Sequence, residues 1–253
     1  HISNYNENKF DEVISRLEGS KDVSDQLILA ASYLQRGGFS FNELEGVKKA
    51  QEILTEIIQK DPKNSEALRL VGYAYELVGD YDNAIDYDKR ALVVDTKNAI
   101  IAAQLSHAYL LKGGVENMKQ SDKLALYAYK LLPGDSLVAM NAARVYLNSK
   151  NYQTAESIYI KVAADSNALV RLRSEANYSL SSIYLYYNPK IDSAVKFAND
   201  AVAIDPSYYL AYIAKARVLN RQGNGQEAFN NIKKAIDLHK NSELAYEWLG
   251  IIY

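Results

Sequence analysis

The chain has 253 residues, 48% of them hydrophobic and 24% charged, with a formal net charge of -2. That length holds one or two ordinary domains, and that charge excludes a global basic field drawing the chain to nucleic acid. Cysteine is absent, which excludes disulfides, thiolate metal sites and cysteine nucleophiles, and no apolar run approaches the roughly 20 residues that cross a bilayer.

The start, His1-Ile2-Ser3-Asn4, is polar and unlike a signal peptide, and its lack of Met leads to the expectation of a trimmed or processed chain. The compartment expected first is the cytoplasm, with the periplasm as the alternative where a leader has been removed. The wealth of Asn, Lys, Ile and Tyr points to an AT-rich genome and a bacterial source. Phe10-Asp11-Glu12-Val13-Ile14 predicts the second helix of a unit whose first helix is missing, a partial unit over 1–22.

From there tyrosine recurs with a period. Tyr33, Tyr75, Tyr109, Tyr146, Tyr184 and Tyr253 lie 42, 34, 37, 38 and 69 residues apart, the last interval being two steps with Leu219 between. A small residue stands three positions before each: Ala30, Gly72, Ser106, Ala143, Ser181, Ala216 and Gly250. Self-similarity near 34 residues predicts a stack of helical units rather than one globular core. The units run 23–64, 65–98, 99–135, 136–173, 174–208 and 209–242, with a partial unit over 243–253, all in a single array.

The unit 65–98 is the cleanest. Leu68, Val71, Gly72 and Tyr75 form one helical face; Gly79-Asp80 ends that helix and caps the next; Tyr81, Ala84, Ile85, Ala91 and Leu92 form the second face. The second-helix alanine recurs as Ala50, Ala84, Ser121, Ala155, Ala194 and Ala228, and Pro62, Pro133 and Pro206 each follow a helix end. Extra residues stand at Gly37-Gly38-Phe39-Ser40-Phe41-Asn42, at Gly113-Gly114-Val115-Glu116 and at Asn188-Pro189-Lys190, all between first and second helices.

These residues resemble the tetratricopeptide repeat. Gly72, Tyr75, Gly79-Asp80-Tyr81, Ala84 and Ala91 match its pattern, whereas Asp88 stands where a large aromatic is usual and weakens local packing. The resemblance covers almost the whole chain. It implies an all-α, right-handed solenoid of stacked antiparallel helix pairs, with assembly, scaffolding or adaptor roles. The family's two-carboxylate clamp for a chaperone C-terminus is not matched: its frame holds Arg69, Tyr73, Gln104, Leu137 and Asn141.

Chemistry is sparse. His1, His107 and His239 are not at metal-ligand spacing, no nucleophile elbow or phosphate-cradling loop is present, and Gly223-Asn224-Gly225 reads as a turn. Asp80, Asp82, Asp86 and Asp88 read as a helix cap plus a solvated face, because Ile85 and Ala91 replace the Gly and Glu that a calcium loop needs. No metal, cofactor or catalysis is expected.

By the resemblance, first helices line a concave wall. Its candidate peptide-contacting residues are Arg69, Tyr73 and Glu76; His107; Met140, Arg144 and Asn148; Tyr178, Ser182 and Tyr186; and Arg217 and Arg221. Arginine forks match carboxylates and tyrosine offers rigid amphipathic area, so the expected guest is a protein or peptide with acidic and apolar side chains. Three further readings stand beside it: a recognition arm of a larger enzyme, self-association through the C-terminal helix, and an RNA-reading repeat. The last lacks a basic inner face and equivalent groove residues from unit to unit. In the C-terminal helix, Trp248, Leu249, Ile251 and Ile252 are expected to end the stack uncovered.

Overall fold

The structure is a computed structural model that describes residues 7–39 and 44–252. The described residues form fourteen α-helices and no strand. They fall into two compact units, one ending at Pro133 and the other beginning at Gly134.

In the first unit, α1 (Glu7–Leu17) packs on α2 (Val23–Phe39), which pairs with α3 (Leu44–Lys60). The pairs α4 (Ser65–Leu77) with α5 (Tyr81–Val94) and α6 (Ala99–Lys112) with α7 (Val115–Leu131) follow. Each first helix also touches the next first helix, α2 on α4 and α4 on α6. The second unit repeats the plan. It pairs α8 (Ser136–Asn148) with α9 (Tyr152–Ala164), α10 (Val170–Tyr186) with α11 (Ile191–Ile204), and α12 (Tyr209–Arg221) with α13 (Gly225–Leu238), and α14 (Glu243–Ile252) lies against α12 and α13. This is the layering of an all-α solenoid.

Recurrent local chemistry starts the helices. Asn64, Asp80, Asn98, Asp135 and Asn151 each accept from a backbone N–H in the first turn, satisfying donors that a helix start leaves orphaned. Between units the turn also recurs. Asp61, Asp165 and Asp205 each accept from the backbone N–H two residues on, at 3.1, 2.9 and 3.0 Å.

The paired helices meet at the small residues. Ala84, Ala91, Ala128, Ala155, Ala194, Ala201, Ala228 and Ala235 are all fully buried, as are Ala30, Ser106, Ala143 and Ala216. Short side chains there let helix axes close to about 8–10 Å. The contact has a fixed register. Ser106 donates to the carbonyl of Ser121 at 2.8 Å, Ser181 donates to the carbonyl of Ala194 at 3.0 Å, and a Cβ on Gly72 would stand 3.2 Å from the carbonyl of Ala84.

Three expectations are corrected. The extra residues are partly absorbed by longer helices: α2 continues through Gly37 and Gly38 to Phe39, and α7 takes in Val115 and Glu116. Ser40, Phe41 and Asn42 lie outside the described residues. Helix α10 begins at Val170, ahead of the boundary at 174. The C-terminal helix is not bare. Trp248, Leu249 and Ile252 pack against the cluster around Ile213 and Ile232, leaving Ile251 at 52% exposure.

Two positions test this packing. At the hairpin turns Gly79 and Gly223 adopt φ of 79° and 81°, but the equivalent residue after α8 is Lys150 at φ 62°, in the left-handed region that costs a side chain most. Lys150→Gly is expected to stabilise the protein by about 0.5–1 kcal/mol in urea unfolding. Conversely, a Cβ on Gly72 would stand 2.2 Å from Asp88 Oδ1. Gly72→Ala should therefore cost about 1–3 kcal/mol despite the better helix propensity of alanine, and Asp88→Ala in the same chain should recover most of it.

Candidate functional site

In the first unit, Arg69, Tyr73 and Glu76 share one face of α4 at i, i+4 and i+7. The next first helix, α6, brings Gln104 and His107 against them. Arg69 grips Glu66 through two bonds of 2.8 and 2.6 Å and donates to Gln104 Oε1 at 2.8 Å. Gln104 Nε2 in turn donates to the Arg69 carbonyl and to Asp88 Oδ1, each at 2.7 Å. Glu76, only 9% exposed at its side chain, meets His107 Nδ1 at 2.8 Å. The candidates Arg69, Glu76 and His107 are thus brought together, and the Arg69 fork is taken up inside the wall.

Asp88 overturns the solvated-face reading. Asp80 caps α5, and Asp82 and Asp86 face solvent, but Asp88 is 0% exposed. The helical period explains it, since Asp88 stands four residues after Ala84 and three before Ala91 on the buried stripe. It also fills space rather than weakening the packing, because Gly72 opposite it has no side chain. Burial pushes the Asp88 carboxyl well above the usual carboxylate range, Glu76 adds to the rise, and the Gln104 hydrogen bond and Arg69 oppose it. Burial likewise pushes the Tyr73 hydroxyl up to about 12.

In the second unit, α8 carries Met140, Arg144 and Asn148, α10 carries Tyr178, Ser182 and Tyr186, and α12 carries Arg217 and Arg221. Met140 is 6% exposed and lies in the core, whereas Asn148 and Arg221 are solvent-exposed. Arg144 is half-buried, and its charge opposes the burial that pushes the Tyr159 hydroxyl up to about 12. Tyr178, Ser182, Tyr186 and Arg217 converge. Arg217 Nε donates to Tyr186 Oη at 3.0 Å and Nη1 donates to Ser182 Oγ at 3.4 Å. Its guanidinium carbon stands 4.6 Å from the Tyr186 ring centre and 5.4 Å from that of Trp248. Among the described residues no carboxylate lies within ion-pair distance of Arg217.

Asp88, Gln104 and Trp248 touch or join the candidate residues, and the sequence reading left them out of the wall. The signal for Gln104 was a separation: Arg69–Gln104 and Ser182–Arg217 are 35 residues apart, and Glu76–His107 and Tyr186–Arg217 are 31. One offset joins equivalent positions of neighbouring units, and the other joins positions one helical turn apart. Trp248 follows the second offset from Arg217. The described residues hold no group of three or more His, Asp or Glu arranged for a metal ion, and no described helix is long and apolar enough to cross a membrane.

Stacked helix hairpins that hide their small faces and present first-helix faces define a helical-repeat protein. Residues 43–104 match the family model described as tetratricopeptide repeat, and the neighbouring solved structures are proteins of the same fold. Residues 43–104 thus match the tetratricopeptide repeat, and the chain as a whole has the fold of such proteins. It is 24% identical over 203 residues to a "DnaJ homolog subfamily C member 7 homolog" of Dictyostelium discoideum, covering 80% of this chain and 33% of the relative. It is 22% identical over 187 residues to "Protein O-mannosyl-transferase TMTC3" of Mus musculus, covering 69% of this chain and 20% of the relative. A chain in the crystal structure of the APC/C hetero-tetramer Cut9-Hcn1 superposes with a TM-score of 0.79 at 15% identity, over 97% of this chain and 46% of that one. The chain therefore spans a third or less of these two curated relatives.

The raised Asp88 carboxyl gives stability a pH dependence. The native state holds the proton more tightly than the unfolded chain, so this contribution is fully present below the ordinary carboxyl range and is lost as pH rises through the native value. Asp88→Asn keeps the shape and the acceptor for Gln104. It is expected to raise Tm by about 2–4 °C at pH 8 and to leave it unchanged near pH 4. Thermal unfolding at the two pH values checks this.

Proposed function

We propose that this protein is an interaction scaffold whose first-helix face in the second unit takes a peptide or partner segment bearing carboxylate and apolar side chains. The tetratricopeptide-repeat fold is of a kind that supports protein–protein interaction and is typically without catalysis, which makes a scaffold the general expectation. One observation carries the finer reading. Arg217 is held between the rings of Tyr186 and Trp248 and tied to Tyr186 Oη and Ser182 Oγ, yet it pairs with no carboxylate among the described residues. Guanidinium and carboxylate geometry match in a paired fork, and the flanking rings offer apolar area to the rest of the guest. In the first unit the Arg69 fork is already occupied by Glu66 and Gln104, so Tyr73 and the His107 edge are what that wall offers a guest.

A second reading has its own support. One relative is named as a transferase and is five times as long as the part matched here, which favours a recognition arm of a larger enzyme. Both readings assign the same work to Arg217. Self-association through α14 would use the exposed Tyr246 and Ile251.

The test is a titration of fluorescent ten-residue peptides that pair aromatic residues with either glutamates or lysines. The acidic set is expected to bind, and Arg217→Glu to weaken it by about tenfold or more while the fold persists by circular dichroism. Equal binding of both sets, or acidic binding untouched by Arg217→Glu, would remove the assignment.

A further inference from the structure

The opposite side of the first unit carries a second feature, independent of the first-helix faces. A cavity of about 550 Å³ opens between the second helices α5 and α7. Its floor is Leu105 of α6, 3% exposed, and its walls are Leu92 and Val93 of α5 and Leu124 of α7. The charged groups that line it are Lys89 and Lys123, one from each helix, with no carboxylate among the lining residues. Tyr127 closes one end by donating to the Thr96 carbonyl at 2.9 Å.

This trough is not a by-product of the repeat. In the same frame, the gap between α11 and α13 carries Asn199, Val202, Ala203, Asn230, Asn231 and Lys234 at the positions of Lys89, Leu92, Val93, Lys123, Leu124 and Tyr127. There Val202 keeps one wall apolar, but an amide replaces Leu124 and a methyl group replaces Val93, and the lysine positions hold amides. Between α5 and α7 the wall residue Val93 is 78% exposed, a large apolar side chain left in water.

Shape and charge choose the guest. A small-molecule site encloses roughly 70–90% of its ligand, and a trough whose wall stands 78% exposed does not enclose. A helix laid in a groove buries only one face, which suits an open trough. The lining of α5 and its following turn, from Lys89 to Thr96, extends for about 10 Å at about 1.5 Å per residue, the length of two helical turns. Two apolar anchors at i and i+4 fit that length, and a lysine on each rim calls for a carboxylate on each flank.

We propose that the α5–α7 trough is a docking site for an amphipathic helix of a partner protein, one that carries two apolar anchors a turn apart flanked by glutamate or aspartate. The site is separate from the Arg217 face and does not depend on it.

The probe is a fluorescein-labelled, end-capped, alanine-rich helical peptide with leucines at i and i+4 and a glutamate on each flank, titrated against the full chain by anisotropy. The control peptide carries lysines in place of the glutamates, and palmitate serves as a single-chain amphiphile. The acidic peptide is expected to bind at least about tenfold more tightly than the lysine peptide, and Val93→Glu to abolish that binding. Lys89→Glu with Lys123→Glu should reverse the preference toward the lysine peptide, a gain that misfolding cannot produce. Arg217→Glu should leave the binding unchanged. Equal binding of the two peptides, no binding below about 1 mM, survival of binding in Val93→Glu, or loss in Arg217→Glu each overturns the proposal, as does uptake of palmitate alone.

Discussion

The structure depends on how closely the two helices of a hairpin approach. At the crossings of α4 with α5, α6 with α7 and α10 with α11, a residue with little or no side chain meets the backbone of its partner helix, as Gly72 meets the Ala84 carbonyl and Ser106 meets that of Ser121. Where serine replaces glycine or alanine it adds a hydrogen bond without adding distance, so Ser106 and Ser181 remain fully buried and satisfied. Close approach also sets what else the layer contains. With the crossing filled by so little, large apolar side chains such as Leu68 and Ile101, or Ile213 and Ile232, pack together across successive helices. The stack is consequently held by neighbour-to-neighbour burial rather than by one central core.

The same spacing organises the polar faces. First helices lie side by side, so a side chain reaches its equivalent in the next unit or the residue one turn below it. In the first unit this geometry builds a closed network from Glu66 through Arg69 and Gln104 to Asp88. In the second it builds an arginine with aromatic walls and, among the described residues, no carboxylate within ion-pair distance of it. Two faces of one repeat type thus differ in kind. One satisfies its cations internally and the other displays one.

Much of this was legible in the residues. The small positions and the turn glycines gave the helix pairs because close approach and left-handed turns admit few residue types. Asp88 was also legible by period, standing on the Ala84–Ala91 stripe, and its acidity alone argued for the surface. What reversed that argument is the absent side chain of Gly72, a fact about a different helix. The pairing of Arg69 with Gln104 could be found from the 35-residue offset. The cover over Trp248 could not, because it depends on how α14 settles on α12 and α13, which no local pattern encodes.

The clamped guanidinium of Arg217 has an energetic consequence. A free arginine at a surface samples many rotamers and surrenders that freedom when it captures an anion, a loss of about 0.5–1.5 kcal/mol for a side chain of this kind. Between two rings and two hydroxyl acceptors, Arg217 has surrendered it during folding. For the guest proposed above, selectivity at this spot would arise from rigidity: a carboxylate a fraction of an ångström out of register would find a receptor that will not bend to meet it.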